Sequence, residues 1–258
     1  MSWRKLARGT AGIVVFAVGW EIFARSRLFA PALTPTVEAI AGALLRMVAD
    51  GSLVGHAGFT LYRVLAGLVL AALCGIPLGM LMGRWRPAER FFLPLMSVLM
   101  PIPSLAWVPL FILWFGLGNT ATIMLVFYAA TFPLMSNTWT GVRSVNRLWL
   151  QAASAMGADE RALFRKVVLP GALPYVITGL RQAFARSWIA VVGGEMIAAS
   201  AWGLGWVLFD AKEFLNTDVM MGVLVVIGAL GLLFERVVFQ ALEARTVARW
   251  GMVRAEKA

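Results

Sequence analysis

Apolar residues run along this chain in long blocks separated by short polar clusters, a pattern unlike the period-two alternation of a half-buried strand. Six blocks approach the roughly 20 mostly apolar residues that cross a bilayer as helix: residues 9–23, 61–82, 91–117, 121–142, 176–199 and 219–234. The first is short and carries Glu21 near its end. No small-residue cleavage site closely follows it, so it reads as an anchor helix rather than a signal peptide. The third is punctuated by Pro94, Pro101, Pro103 and Pro109, and each proline removes a helix hydrogen bond. Broken backbone at membrane depth is tolerated where protein or a water-filled cavity covers it. Pro101, Pro103, Ser104 and Trp107 are therefore candidates for lining a pathway, with a packed kink as the alternative reading.

Two segments between the blocks predict structure outside the spans. Thr34 reads as a helix N-cap with Pro35 at the first helical position. Val37, Ile40, Ala41, Leu44, Leu45 and Val48 follow at helical spacing, and Asp50-Gly51 ends the run. This is an amphipathic helix, either lying on the outer face or packed against neighbouring spans. The segment SAWGLGWVLFDAKEFLNTD is too polar to span and is expected to dip partway into the membrane.

Composition fixes the class. Hydrophobic residues make up 60% and charged residues 14%, against about 45–50% and 25% in soluble domains. An all-α integral membrane protein follows, one transmembrane domain over residues 1–258 with its core near 57–240. Cys74 and His56 are the only residues of their kinds, which leaves no disulfide, thiolate cluster or histidine metal site. No pair of carboxylates falls within a span, so an intramembrane hydrolase lacks its nucleophile, base or metal ligands.

The formal charge of +10 would suggest nucleic acid in a soluble chain. Its distribution points instead to topology and anionic lipid. With the N-terminus in the cytoplasm, most of the 23 Lys and Arg fall inside: Arg4, Lys5 and Arg8; Arg84, Arg86 and Arg90; Arg143, Arg147, Arg161, Arg165 and Lys166; and Arg236, Arg245, Arg249, Arg254 and Lys257. Arg25, Arg27, Arg46, Arg63 and Lys212 fall outside. Both termini are then cytoplasmic.

Residues 150–174, LQAASAMGADERALFRKVVLPGALP, interrupt the apolar pattern on the inner side. Residues 151–156 read as a helix end, Gly157 as a left-handed turn, and Asp159 as the cap of a second short helix over 160–168. Pro170 is expected to stop that helix and Pro174 to precede the next span. Leu163, Val167 and Phe164 face one way, and Arg161, Arg165 and Lys166 the other. The product is a compact cytoplasmic knob joined to two spans, suited to passing force to a soluble partner; a loop resting on headgroups is the alternative.

The segment QAASAMGADERALFRKVVLP resembles the EAA loop of ABC importer permeases. Gln151, Ala152, Ala153, Gly157, Val167, Leu169 and Pro170 stand at the motif's spacing, with Gln151 where the motif has Glu. PIPSLAWVPLFILWFGLGNTATI, GALPYVITGLR and GLGWVLFDAKEFLNTDV extend the resemblance to the nitrate/sulfonate/taurine-type permeases over almost the whole chain. The resemblance implies a type I importer permease fold of about six spans in a bacterial inner membrane. It implies two permease copies, two ATPase subunits that hold ATP and Mg, and an extracytoplasmic binding protein delivering a small anionic solute. The permease itself would bind no cofactor or metal and catalyse nothing. Coupling to the ATPase is then expected from Gln151, Ala152, Ala153, Gly157, Ala158, Asp159, Arg161, Leu163, Phe164, Leu169 and Pro170. An ATP-independent transporter or channel is the competing reading; it gives no reason for the knob.

Charge within the spans is the remaining signal, since such groups usually face the bundle interior or a cavity. Arg181, Trp188 and Glu195 recur on one helical stripe of the fifth block. Arg181 is placed to snorkel, and Glu195 to serve an outer gate or to pair with Arg63. Arg186 stands on another face, placed to attract an anionic solute or to meet a lipid phosphate.

Overall fold

The computed structural model describes residues 3–199, 201–239 and 241, with 3–10 described by backbone alone. Of the basic residues assigned to the inner side, the side chains of Arg4, Lys5 and Arg8, and all of Arg245, Arg249, Arg254 and Lys257, lie outside the described set. Helix α1 (Trp3–Arg25) leads to α2 (Val37–Ala49), α3 (Ser52–Arg84) and α4 (Arg86–Leu99). A 3-10 turn (Ser104–Trp107) precedes α5 (Val108–Phe115) and α6 (Asn119–Ser144). Then come α7 (Arg147–Ala155), α8 (Glu160–Leu163), a π turn (Phe164–Val168) and α9 (Leu169–Ala198). Helices α10 (Leu204–Glu213) and α11 (Thr217–Leu233) follow, the latter running into a second π turn (Phe234–Phe239).

Among the described residues, four helices are long and apolar enough to cross a membrane: residues 52–84, 119–144, 160–198 and 217–239. The third expected span is not straight. Its halves, α4 and 104–115, meet at 89°, so together they make a broken span or a re-entrant loop. Helix α1 is continuous over 23 residues but is not among the four.

Helices α3, α6 and α9 form the centre. Their buried faces interleave Val64, Leu68 and Ala71 with Val126, Ala130 and Leu134, and with Ala183, Phe184 and Val191. Close approach of α3 to α6 depends on a small residue at Gly79, where a Cβ would stand 2.5 Å from the Met135 carbonyl oxygen. Many large apolar side chains outside this core are exposed, among them Ile13, Leu73 and Leu113, as expected where lipid is the solvent.

The outer segments differ in detail from the expectation. The cap of α2 is Thr36, whose Oγ1 accepts from the Ala39 N–H at 3.3 Å; Thr34 is buried and does not cap. Pro35 sits outside the helix, and its carbonyl accepts from Trp20 Nε1 at 3.0 Å. Of the two readings of α2, packing on neighbours describes it: it lies against α11 and α3, with Ala43 buried. Asp50 and Gly51 do end it, Gly51 at φ 77°. The Ser52 hydroxyl and N–H hold the Asp50 carboxyl below its ordinary pKa. The polar segment after α9 forms α10, which buries Leu204, Val207 and Leu208 against α11 and α9.

Candidate functional site

The segment singled out in the sequence folds as an elbow. Asn146 caps α7 through Oδ1, which accepts from the Leu148 N–H at 2.9 Å. The helix ends in paired bonds, Gly157 N–H to the Ser154 carbonyl at 2.9 Å and Ala158 N–H to the Ala153 carbonyl at 3.0 Å. This is the Schellman closure, which needs a left-handed residue at Gly157; its φ is +83°. A Cβ at Gly157 would meet nothing within 4 Å, so glycine is required there by backbone conformation and not by space. Asp159 then caps α8, its Oδ1 accepting from the Ala162 N–H at 2.8 Å.

Pro170 does not stop this helix, contrary to the expectation from sequence. Residues 160–198 run as one helix, so the fifth span begins well before residue 176. The π turn explains the difference. The Leu169 N–H reaches back to the Phe164 carbonyl, and Pro170, in the first turn of α9, falls where a missing donor is tolerated. Pro174 lies within α9 as well. The elbow is therefore attached to a continuous rod.

Gln151, Ala152, Gly157, Asp159 and Arg161 are exposed, and Ala153, Ala158, Leu163, Phe164 and Pro170 are half-buried. Leu169 is exposed. Phe164 packs against Val142, Val168 and Ala172, which seats the elbow on α6 and α9. Arg84, at the end of α3, reaches across to Glu160 at 2.6 Å and lies over the Phe164 ring. Met156 is 81% exposed at the tip, and Arg165 and Lys166 point outward.

The broken span makes a cavity. Pro103 has no N–H for the Leu99 carbonyl four residues earlier, and the Tyr128 hydroxyl supplies a donor at 2.7 Å. Beside this break lies a cavity of about 340 Å3 whose walls include Pro101, Pro103, Ser104, Phe132, Arg186 and Ile189. A second cavity of about 530 Å3 shares Met100, Pro101 and Arg186 with it. Four of the residues expected to line a pathway are thus brought together. Trp107 stands just beyond, against Tyr128 and Phe111. Trp188 does not line the cavity; it stacks on Phe184 and lies tilted against Phe234.

At the far end of α9 the remaining charges pair. Arg63 Nη1 donates to Glu195 Oε1 at 2.7 Å, and both side chains are buried. Of the two readings of Glu195, pairing with Arg63 is the arrangement present. Arg181 pairs with Glu235 rather than only snorkelling. The Glu195 carboxylate also accepts from the Thr60 hydroxyl and the Gly205 N–H, both at 2.9 Å. Thr60 Oγ1 accepts from the Leu204 N–H at 2.8 Å, and His56 Nδ1 from the Gly203 N–H at 3.1 Å. Gly203 offers α10 no capping side chain, so α3 and α9 satisfy the open N–H groups of its first turn. The only signal for Thr60 and His56 in the sequence is that they are polar residues near the start of an apolar helix.

A sequence profile of the family described as "Binding-protein-dependent transport system inner membrane component" matches residues 75–248. A putative ABC transporter permease protein of Methanocaldococcus jannaschii is 37% identical, covering 84% of this chain and 82% of the relative. The taurine transport system permease protein of Escherichia coli K12 is 32% identical, covering 97% and 92%. Among solved structures, the inward-facing MetNI methionine ABC transporter superposes with a TM-score of 0.61, at 21% identity over 78% of this chain and 96% of that one. It shares the fold.

Proposed function

The chain belongs to the binding-protein-dependent transport system inner membrane component family, and on that premise we propose that its elbow is the coupling element between a soluble ATPase and the membrane pathway. Membership makes the chain a multi-pass membrane permease subunit of an ABC importer, with ATP hydrolysis on a separate subunit. ATP and Mg belong to that ATPase.

The observation that carries the coupling reading is continuity. Residues 160–198 form one helix from the exposed knob, through Arg186 at the cavity, to the buried Glu195. A displacement imposed at Asp159 or Arg161 is transmitted along a rod rather than absorbed by a loop. The tip presents Met156 and the exposed Trp149, apolar groups that suit a groove on a protein partner better than water.

In this reading two copies of the permease form the pathway and two ATPases sit beneath them. Both termini lie in the cytoplasm, and basic side chains on the inner face meet anionic lipid. ATP closes the ATPase dimer, the knobs move together, and the spans switch access around the broken helix. A binding protein delivers the solute, a small anion of the sulfonate, taurine, nitrate or aromatic carboxylate kind. Differential contacts in the two states drive the switch.

The test is a pulldown from native membrane. A Walker-motif ATPase is expected to accompany the tagged permease at near one-to-one stoichiometry. Gly157→Pro, which forces φ near −65° where +83° is needed, is expected to insert normally and lose the ATPase. A wild-type permease that comes alone under several mild conditions would make this an ATP-independent carrier or channel. Normal solute-stimulated hydrolysis in the Gly157→Pro complex would remove the elbow from the coupling path.

A further inference from the structure

We infer that Arg186 and the cavity at the helix break form a binding site for a small organic anion with an apolar body, such as an alkanesulfonate or an aromatic carboxylate. The inference rests on the importer reading above and names the solute class that the pathway is built to hold.

The first observation is the state of the charge. Arg63, buried on α3, and Arg181, five residues before Arg186 on α9, have carboxylate partners. Arg186 makes no hydrogen bond or ion pair among the described residues. An unpaired guanidinium within a span is costly unless it has a function. No acidic residue lines either cavity that it borders, so nothing in the walls competes for it.

Its depth is the second observation. Arg186 lies about 18 Å from the Ala198 end of α9 and about 26 Å from the Leu169 end, at 1.5 Å per residue. The chain before Leu169 continues the same helix into the exposed knob, so Arg186 stands several turns inside the rod from either end, away from the lipid phosphates that flank a hydrocarbon core of about 30 Å.

Third is the character of the walls. Pro101, Pro103, Phe132 and Ile189 dominate the cavity, and the Tyr128 hydroxyl is already committed to the Leu99 carbonyl. The Ser104 hydroxyl makes no hydrogen bond among the described residues, which leaves it open on the same cavity wall as Arg186. One cation, one hydroxyl and an otherwise apolar wall suit a molecule with a charged end and a hydrocarbon end. A strongly hydrated inorganic anion would lose its water and gain a single charged partner, a poor exchange. A sulfonate or carboxylate is also the geometry that a guanidinium binds in bidentate fashion.

The experiment uses the full-length permease in phosphatidylcholine nanodiscs, with whatever subunits co-purify, carrying Cys74→Ala and Ile189→Cys so that one permease cysteine reports on the cavity. Alkylation of that cysteine by a maleimide is timed with and without added anion. Ethanesulfonate and benzoate are expected to slow it, and sulfate at equal concentration is not. Arg186→Leu is expected to raise the protecting concentration by roughly tenfold or more, the loss of a charge-assisted contact, and Arg186→Lys by less. If Arg186→Leu does not insert, Arg186→Gln carries the comparison. Equal protection in the Leu or Gln variant would overturn the proposal, as would sulfate protecting as well as ethanesulfonate. So would protection by phosphatidylglycerol nanodiscs alone, which would assign the cation to a headgroup. The readout needs no turnover, so failure of the ATPase to co-purify would sink the coupling reading and leave this result standing.

Discussion

Arg63 and Glu195 meet at 2.7 Å with side chains 2% and 0% exposed, and the pair ties the start of α3 to the end of α9. It is more than a bridge. Arg63 also donates to the Trp202 carbonyl and to Asn119 Oδ1, while Glu195 receives the first turn of α10. Four parts of the bundle therefore converge on two side chains. Removing one partner, by Arg63→Leu or Glu195→Ala, leaves a buried uncompensated charge and is expected to cost about 3–5 kcal/mol. The double variant Arg63→Met/Glu195→Leu is expected to lose less than the sum of the singles. Thermal unfolding in detergent measures the cycle; strictly additive losses would show that the two side chains act independently.

Tyr128 is expected to hold the break open in a fixed shape. Its hydroxyl replaces the donor that Pro103 lacks, and the Leu99 carbonyl keeps only the Ile102 N–H at 3.1 Å without it. Tyr128→Phe should cost about 1 kcal/mol and speed hydrogen exchange across residues 99–104. Unchanged exchange would mean that the Ile102 bond suffices.

Packing of α3 on α6 predicts a contrast between two glycines. Gly79→Ala drives a methyl group to 2.5 Å from the Met135 carbonyl, backbone that cannot swing away, and is expected to cost about 1–3 kcal/mol. Gly58→Ala on the same helix meets nothing within 4 Å and is expected to be neutral or slightly stabilising, since alanine favours helix. Equal effects on the unfolding temperature would refute close approach as the role of Gly79.

Much of this fold was legible because bilayer and helix physics leave few choices. The blocks at 121–142 and 219–234 became helices 119–144 and 217–239, since length and apolarity decide a span. Gly157 and Asp159 could be read because left-handed turns and caps are local chemistry. Pro170 misled for the same local reason: a proline signals a stop unless a π turn shifts the register ahead of it, and no residue type marks that turn. Thr34 has the local signature of a cap because a proline follows it, yet Thr36 caps the helix and Pro35 lies outside it. Pairing of Arg63 with Glu195 was one of two open readings, because partners 132 residues apart depend on topology. The cavity was foreseeable only as a break, since its walls come from three separate stretches of chain.

Asp159 offers the sharpest local test of the elbow. Its carboxylate caps α8 at the Ala162 N–H, and the side chain is otherwise exposed. Asp159→Ala removes the cap, costs about 1 kcal/mol, and frays the turn that carries Arg161 and the Glu160–Arg84 contact. Asp159→Asn keeps a capping oxygen and removes the charge. If the elbow works by its shape, the Ala variant loses solute-stimulated ATP hydrolysis and the Asn variant retains it, with both inserting like wild type. If the charge itself contacts the ATPase, both variants lose stimulation alike. Measuring hydrolysis in proteoliposomes at matched permease content separates the two, because both variants lack the charge and only the Asn variant keeps an oxygen to accept from the Ala162 N–H.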